Sequence, residues 1–151
     1  MADRERVRRI RAVRRLREIR EKVDARAVGE ARIALSSAEH RLSAAEGDAL
    51  RLQREIAASM VQGARSTEAV EFHLAWVALR RRRLDAANAV ARCRERLRDA
   101  IGLYLRSRIE RKRMEAWETA AEANLRREEE HSAAVALDEI AVIRHGWRGE
   151  A

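Results

Sequence analysis

The sequence predicts an all-α protein: a long antiparallel two-helix coiled coil, or α-hairpin, whose second helix is the longer. Three observations carry this. The 151 residues contain no proline, so the strongest helix breaker is missing. Ala, Leu, Arg and Glu dominate the chain, and all four are strong helix formers. Apolar residues recur every third or fourth position over most of the length, which is the spacing of a coiled-coil seam. The composition agrees: 38% of residues are charged, against about 25% in an ordinary globular domain.

The first helix is expected over about residues 5–60. Its apolar stripe runs through Leu16, Ile19, Val23, Ala27, Ala31, Leu35, Ala38, Leu42, Ala45, Ala49, Leu52 and Ile56. From Leu35 onward the steps alternate four and three, a heptad pattern. Before Leu35 successive steps of four predict a stutter, a local unwinding of the supercoil. The many alanines predict close approach of the two helices. The pattern stops in "SMVQGARSTEAV", Ser59 to Val70. Gly63 tolerates a left-handed backbone and serves as a helix C-terminal cap. Ser66 or Thr67 is the expected N-terminal cap of the next helix, with Glu68 and Glu71 near its positive end. The loop is therefore placed at about residues 61–67.

The second helix is expected over about residues 68–144. Its stripe is Phe72, Trp76, Leu79, Arg83, Ala86, Val90, Cys93, Leu97, Ala100 and Tyr104. Beyond Tyr104 the stripe drifts through Ile109, Met114, Trp117, Ala121 and Leu125. The last seven residues, "HGWRGEA" at 145–151, hold two glycines and are expected to fray. The chain reads as one unit. A loop centred near residue 65 makes residue i face roughly residue 130 − i, as antiparallel helices joined by a short loop do. Gly29 then meets Gly102, which fits a bend or close approach as well as it fits two tolerated glycines.

The net charge of +8 is distributed in blocks. Residues 1–22 hold ten basic and four acidic side chains, net +6, and residues 114–151 hold four and nine, net −5. Such polarity implies partner surfaces or self-complementarity. Arg80 to Arg83 look like a phosphate grip, yet at about 100° per residue they point nearly all round the helix. Arg83 falls in the seam, its stem packed and its head turned outward. Arg4, Arg8, Arg11 and Arg15 are better organised, because 4-3-4 spacing puts them on one face. A basic face of this kind docks an acidic protein groove, an anionic membrane or nucleic acid. No helix-turn-helix spacing, paired Cys/His set or aromatic platform accompanies it, so nucleic acid is not the expected main partner.

Catalytic chemistry is not expected. There is no Gly-rich phosphate loop, and His40, His73, His131 and His145 lack metal-ligand spacing with one another or with Cys93. The single cysteine sits in the seam as a small apolar residue and cannot form an intramolecular disulfide. Carboxylates on a solvated helix have no pocket in which to shift a pKa. The expectation is a non-enzymatic protein with no cofactor and no small-molecule substrate. No apolar run approaches the roughly 20 residues of a membrane span, and no apolar stretch follows the basic N-terminal residues as in a secretory signal. A cytoplasmic location is the default.

The segment "RIERKRMEAWETAAEAN", Arg108 to Asn124, followed by "ALDEIAVIRHG", Ala136 to Gly146, resembles the FliJ family, coiled-coil proteins of the flagellar type III export apparatus. The cues are the basic cluster Arg111, Lys112 and Arg113, the pair Ala116–Trp117, and Asp138–Glu139 followed by Ile140–Ala141. The stalk proteins of virulence-type injectisomes, the YscO type, look similar. The resemblance implies a helical hairpin like the central stalk of rotary ATPases. Its paired ends would enter the hexameric export ATPase, FliI in flagella, and another part would contact the export gate, FlhA, and export chaperones. It implies ATPase contacts by Arg4, Arg8, Arg11, Arg15, Arg111, Lys112, Arg113 and Trp117. For the gate it points to Phe72, Trp76 and Leu79, which also continue the seam. It further implies a cytoplasmic position peripheral to the inner membrane. Two other readings stay open on sequence: a basic coiled-coil adaptor for nucleic acid or an anionic membrane, and a homodimeric scaffold in which Gly63 does not reverse the chain.

Overall fold

A computed structural model of the chain describes residues 2–63 and 65–149. It contains two helices, α1 (Ala2–Gln62, 61 residues) and α2 (Ser66–Gly149, 84 residues), and the described residues include no strand. The helices pack against each other as an antiparallel hairpin, since ion pairs join Arg4 to Glu129 and Asp48 to Arg82. The continuous homodimeric rod is thereby set aside.

The turn depends on Gly63, whose φ is +81°. Its N–H donates to the Met60 carbonyl at 3.4 Å. A left-handed residue after the last helical turn ends a helix cheaply only where there is no Cβ. The start of α2 differs from expectation. The Ala69 N–H donates to the Arg65 carbonyl at 3.2 Å, and the Glu68 carboxylate accepts from the Arg65 N–H at 3.4 Å. Arg65 therefore occupies the cap position, and Glu68 reaches back to it as the acidic half of a capping box. Ser66 and Thr67 lie within the first helical turn instead. At the other end α2 continues through His145, Gly146 and Trp147 to Gly149, where fraying was expected. Glu150 and Ala151 lie outside the described residues.

The pairing divides into two packing units. One holds residues up to 22 together with those from 106 onward, and the other holds residues 23–105. In the 23–105 unit the seam follows the expected heptads. Leu35, Ala38, Leu42, Ala45, Ala49, Leu52 and Ile56 are buried or half-buried on α1, and Ala86, Val90, Cys93, Leu97, Ala100 and Tyr104 on α2. Ala45 is 0% exposed and Ala38 5%, so small side chains let the backbones approach. Arg83 is exposed, its guanidinium 3.9 Å from Glu46.

The unit of the terminal segments departs from expectation. On α1 the covered positions include Val7, Ile10, Arg14, Glu18 and Glu21, and on α2 Ser107, Arg111, Met114, Glu118, Ala121 and Leu125, with Asp3, Glu110, Glu115, Glu122 and Ala123 half-buried at their flanks. Steps of three and four continue in the same phase on both helices, apart from a step of four from Arg14 to Glu18, so the predicted stutter is absent. In this unit the heptad places charged residues in the seam. Leu16, Ile19, Ile109 and Trp117, expected there, face outward with 51–65% of their surface exposed. In the neighbouring unit, Val23 does the same at 58%.

A Cβ built on Gly29 or Gly102 would meet no atom within 4 Å, and Gly47 is equally open. Close approach therefore does not explain the paired glycines. Replacing Gly29, Gly47 or Gly102 with alanine should stabilise the protein by up to about 1 kcal/mol each. Gly63→Ala should destabilise it by about 1–2 kcal/mol, because its φ is left-handed. Chemical denaturation of the four variants checks the contrast, and equal effects would contradict it.

Candidate partner-binding surfaces

Arginine reaches across the helix pair throughout the unit of the terminal segments. Arg4 Nη2 donates to Glu129 Oε1 at 2.7 Å. Arg11 forks between two carboxylates, Nε to Glu118 Oε1 at 3.0 Å and Nη2 to Glu122 Oε1 at 2.6 Å. Arg14 approaches Glu118 Oε2 at 2.8 Å and Glu18 Oε1 at 3.3 Å. Neither Arg14 Nε nor Glu118 Oε2 makes a directed hydrogen bond, so these two approaches are Coulombic contacts. Arg17 donates to Glu110 Oε2 at 2.5 Å. Arg111 donates to Glu21 and to Glu115.

The self-complementarity of the charge blocks is thus realised within one molecule. Glu118 is the centre of this lattice, 7% exposed between Arg11 and Arg14. A buried carboxylate is tolerated only when paired, and here two guanidinium groups share one acid. The Arg11 guanidinium is held above its usual range by its hydrogen bonds to Glu122 and Glu118. Glu122 is held below the usual carboxylate range, first by the Arg11 hydrogen bond and then by its charge. Glu128 is pushed up, because it shares a hydrogen bond with the Asp3 carboxyl and feels its charge.

The expected site residues therefore separate by role. Arg4, Arg11 and Arg111 are engaged inside the molecule. Arg8, Arg15, Lys112 and Arg113 are exposed, and no ion pair joins them to a described residue. Trp117 is 63% exposed and lies beside the seam rather than in it. Sequence reasoning missed Arg14, Glu21 and Glu118, since apart from Arg83 it followed apolar residues. It also missed Arg126. With Arg4, Arg8, Arg11 and Arg15, Arg126 lines an open groove of ≈ 730 Å³ whose walls include Glu122 and Glu129.

A second surface lies next to the turn, within the 23–105 unit. Ile56, Met60, Ala69, Phe72, His73 and Trp76 line a mostly apolar groove of ≈ 440 Å³. Two of the three residues expected at the gate, Phe72 and Trp76, lie there. Leu79 is half-buried and does not line it. Met60 in its lining is 73% exposed, and Val61, next in sequence, 89%.

Among the described residues no group of His, Cys, Asp and Glu could hold a metal ion, and no helix is long and apolar enough to cross a membrane. Cys93 is half-buried in the seam.

The family model described as flagellar FliJ protein matches residues 6–150, nearly the whole helical pair. The chain belongs to the FliJ family. No curated protein and no solved structure matches it. FliJ membership makes it a flagellar, export-related coiled-coil protein, and the FliJ family is a non-catalytic component of that system.

Two outcomes test the ionic seam. Glu118→Ala should cost about 1–2 kcal/mol, since it removes the charged hydrogen bond from Arg11 and the ion-pair partner of Arg14 at once; an unchanged denaturation midpoint would contradict the pairing. The Arg11–Glu122 pair stabilises the fold above the unfolded glutamate pKa of about 4.3. That contribution disappears as pH falls through the lower folded value of Glu122. Glu128 has the opposite sign, because its raised pKa favours the fold at low pH and is lost as pH rises through it. Residue-resolved hydrogen exchange across this range should therefore show residues near Arg11 losing protection on acidification while those near Asp3 gain it.

Proposed function

We propose that this protein is a non-enzymatic coupling stalk of the flagellar type III export ATPase. In this reading its paired terminal segments insert into the hexameric, FliI-like ATPase. The surface beside the turn contacts an FlhA-like export gate, and export chaperones bind along the helices. The protein works in the cytoplasm, peripheral to the inner membrane. The observation that carries the reading is the FliJ family match over residues 6–150. Because that family is the flagellar one, the flagellar apparatus is preferred to a virulence-type injectisome.

The geometry supports particular residues for each contact. Arg8, Arg15, Lys112, Arg113 and Trp117 are exposed on the paired terminal segments, where ring carboxylates would meet cations and an aromatic anchor. Arg4, Arg11 and Arg111 contribute by holding the two helices together. Past Glu129 no residue of α1 pairs with α2 among the described residues. There α2 carries Leu137, Ile140, Val142, Ile143 and Trp147, 49–80% exposed. An exposed apolar run of that size belongs at an interface, and a ring bore supplies one. For the gate, Phe72 and Trp76 offer the apolar groove, and half-buried Leu79 follows on the same helix.

The purified chain should bind the hexameric export ATPase and weaken by roughly tenfold or more between low salt and about 0.5 M salt, as exposed charge pairs are screened. Co-sedimentation across a salt series measures this. A chain that ignores the ATPase at every salt concentration, yet retards duplex DNA at physiological salt, would overturn the stalk in favour of a nucleic-acid adaptor.

A further inference from the structure

We propose that the arginine-lined groove on the terminal-segment unit seats one acidic amphipathic helix of a partner protein. Arg8, Arg15 and Arg126 would meet its carboxylates, while Val7, Ala12 and Leu125 receive its apolar stripe. The proposal rests on reading this unit as the partner-binding end, and it names the partner's chemistry and the residues that read it.

The charge balance of the groove leads to this. Five arginines line it against two glutamates. Arg4 is neutralised by Glu129, and Arg11 by Glu122 together with Glu118. Arg8, Arg15 and Arg126 have no carboxylate paired with them among the described residues, although Arg126 lies within Coulombic reach of Glu122. The groove therefore presents three unneutralised cations from two walls, Arg8 and Arg15 on α1 and Arg126 on α2. Arg8 and Arg15 are one heptad apart, about 10.5 Å along the axis. Two acidic residues seven apart on a helix lying alongside have that same separation. The groove of ≈ 730 Å³ far exceeds one small anion. Val7, 5% exposed, and half-buried Leu125 supply an apolar floor, as helix-in-groove recognition requires.

The same lining disfavours nucleic acid. Glu122 and Glu129 would face a phosphate backbone at close range, and no aromatic ring lines the groove for a base to stack on. A membrane surface is flat and gains little from two facing walls.

The test uses the full-length chain and a synthetic amphipathic helix of about five turns, carrying glutamates at i and i+7 beside a leucine stripe. Its probes for comparison are a scrambled peptide of the same composition, duplex DNA, and vesicles of phosphatidylglycerol with phosphatidylcholine. The expected result is saturable binding of the patterned peptide, weakened roughly 10- to 100-fold by combined Arg8→Gln, Arg15→Gln and Arg126→Gln. A control with Arg80→Gln, Arg81→Gln and Arg92→Gln removes the same charge elsewhere and should change affinity less than about threefold. Circular dichroism should show both variants helical and paired.

Equal binding of patterned and scrambled peptides, or equal losses in the two triple variants, would overturn the groove as a specific site. So would binding of DNA or vesicles without the peptide. Measuring the export ATPase beside the peptide separates this inference from the functional reading. If the wild-type chain selects the patterned peptide but ignores the ATPase, the groove stands and the stalk falls. If it binds the ATPase but does not select the peptide, the groove alone falls.

Discussion

An unbroken helix cannot choose which residues it turns inward, and everything else in this protein depends on that constraint. Each residue advances about 100°, so the covered face is set by position once any part of the helix is docked. Docking is secured in the 23–105 unit by Val28, Ala38, Ala45, Leu52 and Val90. In the terminal-segment unit, taken by itself, both helices bring to the seam whatever the sequence holds at steps of three and four. On α1 these include Arg14 and Glu21, and on α2 Ser107, Arg111 and Glu118.

The two units are consequently held by different forces. Alanines at 0–5% exposure bring backbones together and bury apolar surface, a term that salt does not screen. In the other unit Val7 is the one apolar residue buried to that degree among the described residues. Guanidinium–carboxylate contacts take over there, and most of them are partly exposed. Individually such pairs contribute little, about 0–1 kcal/mol. Glu118 is the exception, since its burial makes both partners necessary. Arginine suits this seam better than lysine, because one planar fork serves two acids, as Arg11 does for Glu118 and Glu122.

Much of this was legible in the sequence, and the illegible part has a definite cause. The turn at Gly63, the seam from Leu35 to Ile56 and the α2 stripe from Ala86 to Tyr104 all followed from apolar spacing and the special backbone freedom of one glycine, whereas Trp76, expected in that stripe, is 40% exposed. The pairing distance also held: Asp48 meets Arg82, and Arg11 sits between Glu118 and Glu122. The reading failed at Leu16, Ile19, Ile109 and Trp117, where apolar character was equated with burial. A usable signal was nonetheless present. Extending the heptad phase outward from Ala45 reaches Arg14 and Glu21, and reflecting these about the turn reaches opposite charges near Glu118 and Arg111. The cap at Arg65 was harder to see, because it rests on that residue's backbone N–H, which donates to the Glu68 carboxylate.

Charge in the seam also explains why apolar residues stand outside it. A seam closed by ion pairs leaves Leu16, Ile19 and Trp117 unused for pairing the helices, and they lie on the surface beside unneutralised arginines. The reverse arrangement, with apolar residues inside and charge outside, would give a more stable pair and a surface readable only by long-range electrostatics. Here the exposed face carries both cations and apolar contact area. Cations steer an acidic partner and govern its salt dependence, while desolvated aromatic and aliphatic groups provide most of the residence time of a docked complex. A unit whose own helices are joined mainly by exchangeable ion pairs, and whose apolar groups face outward, has the composition of an interface rather than of a core.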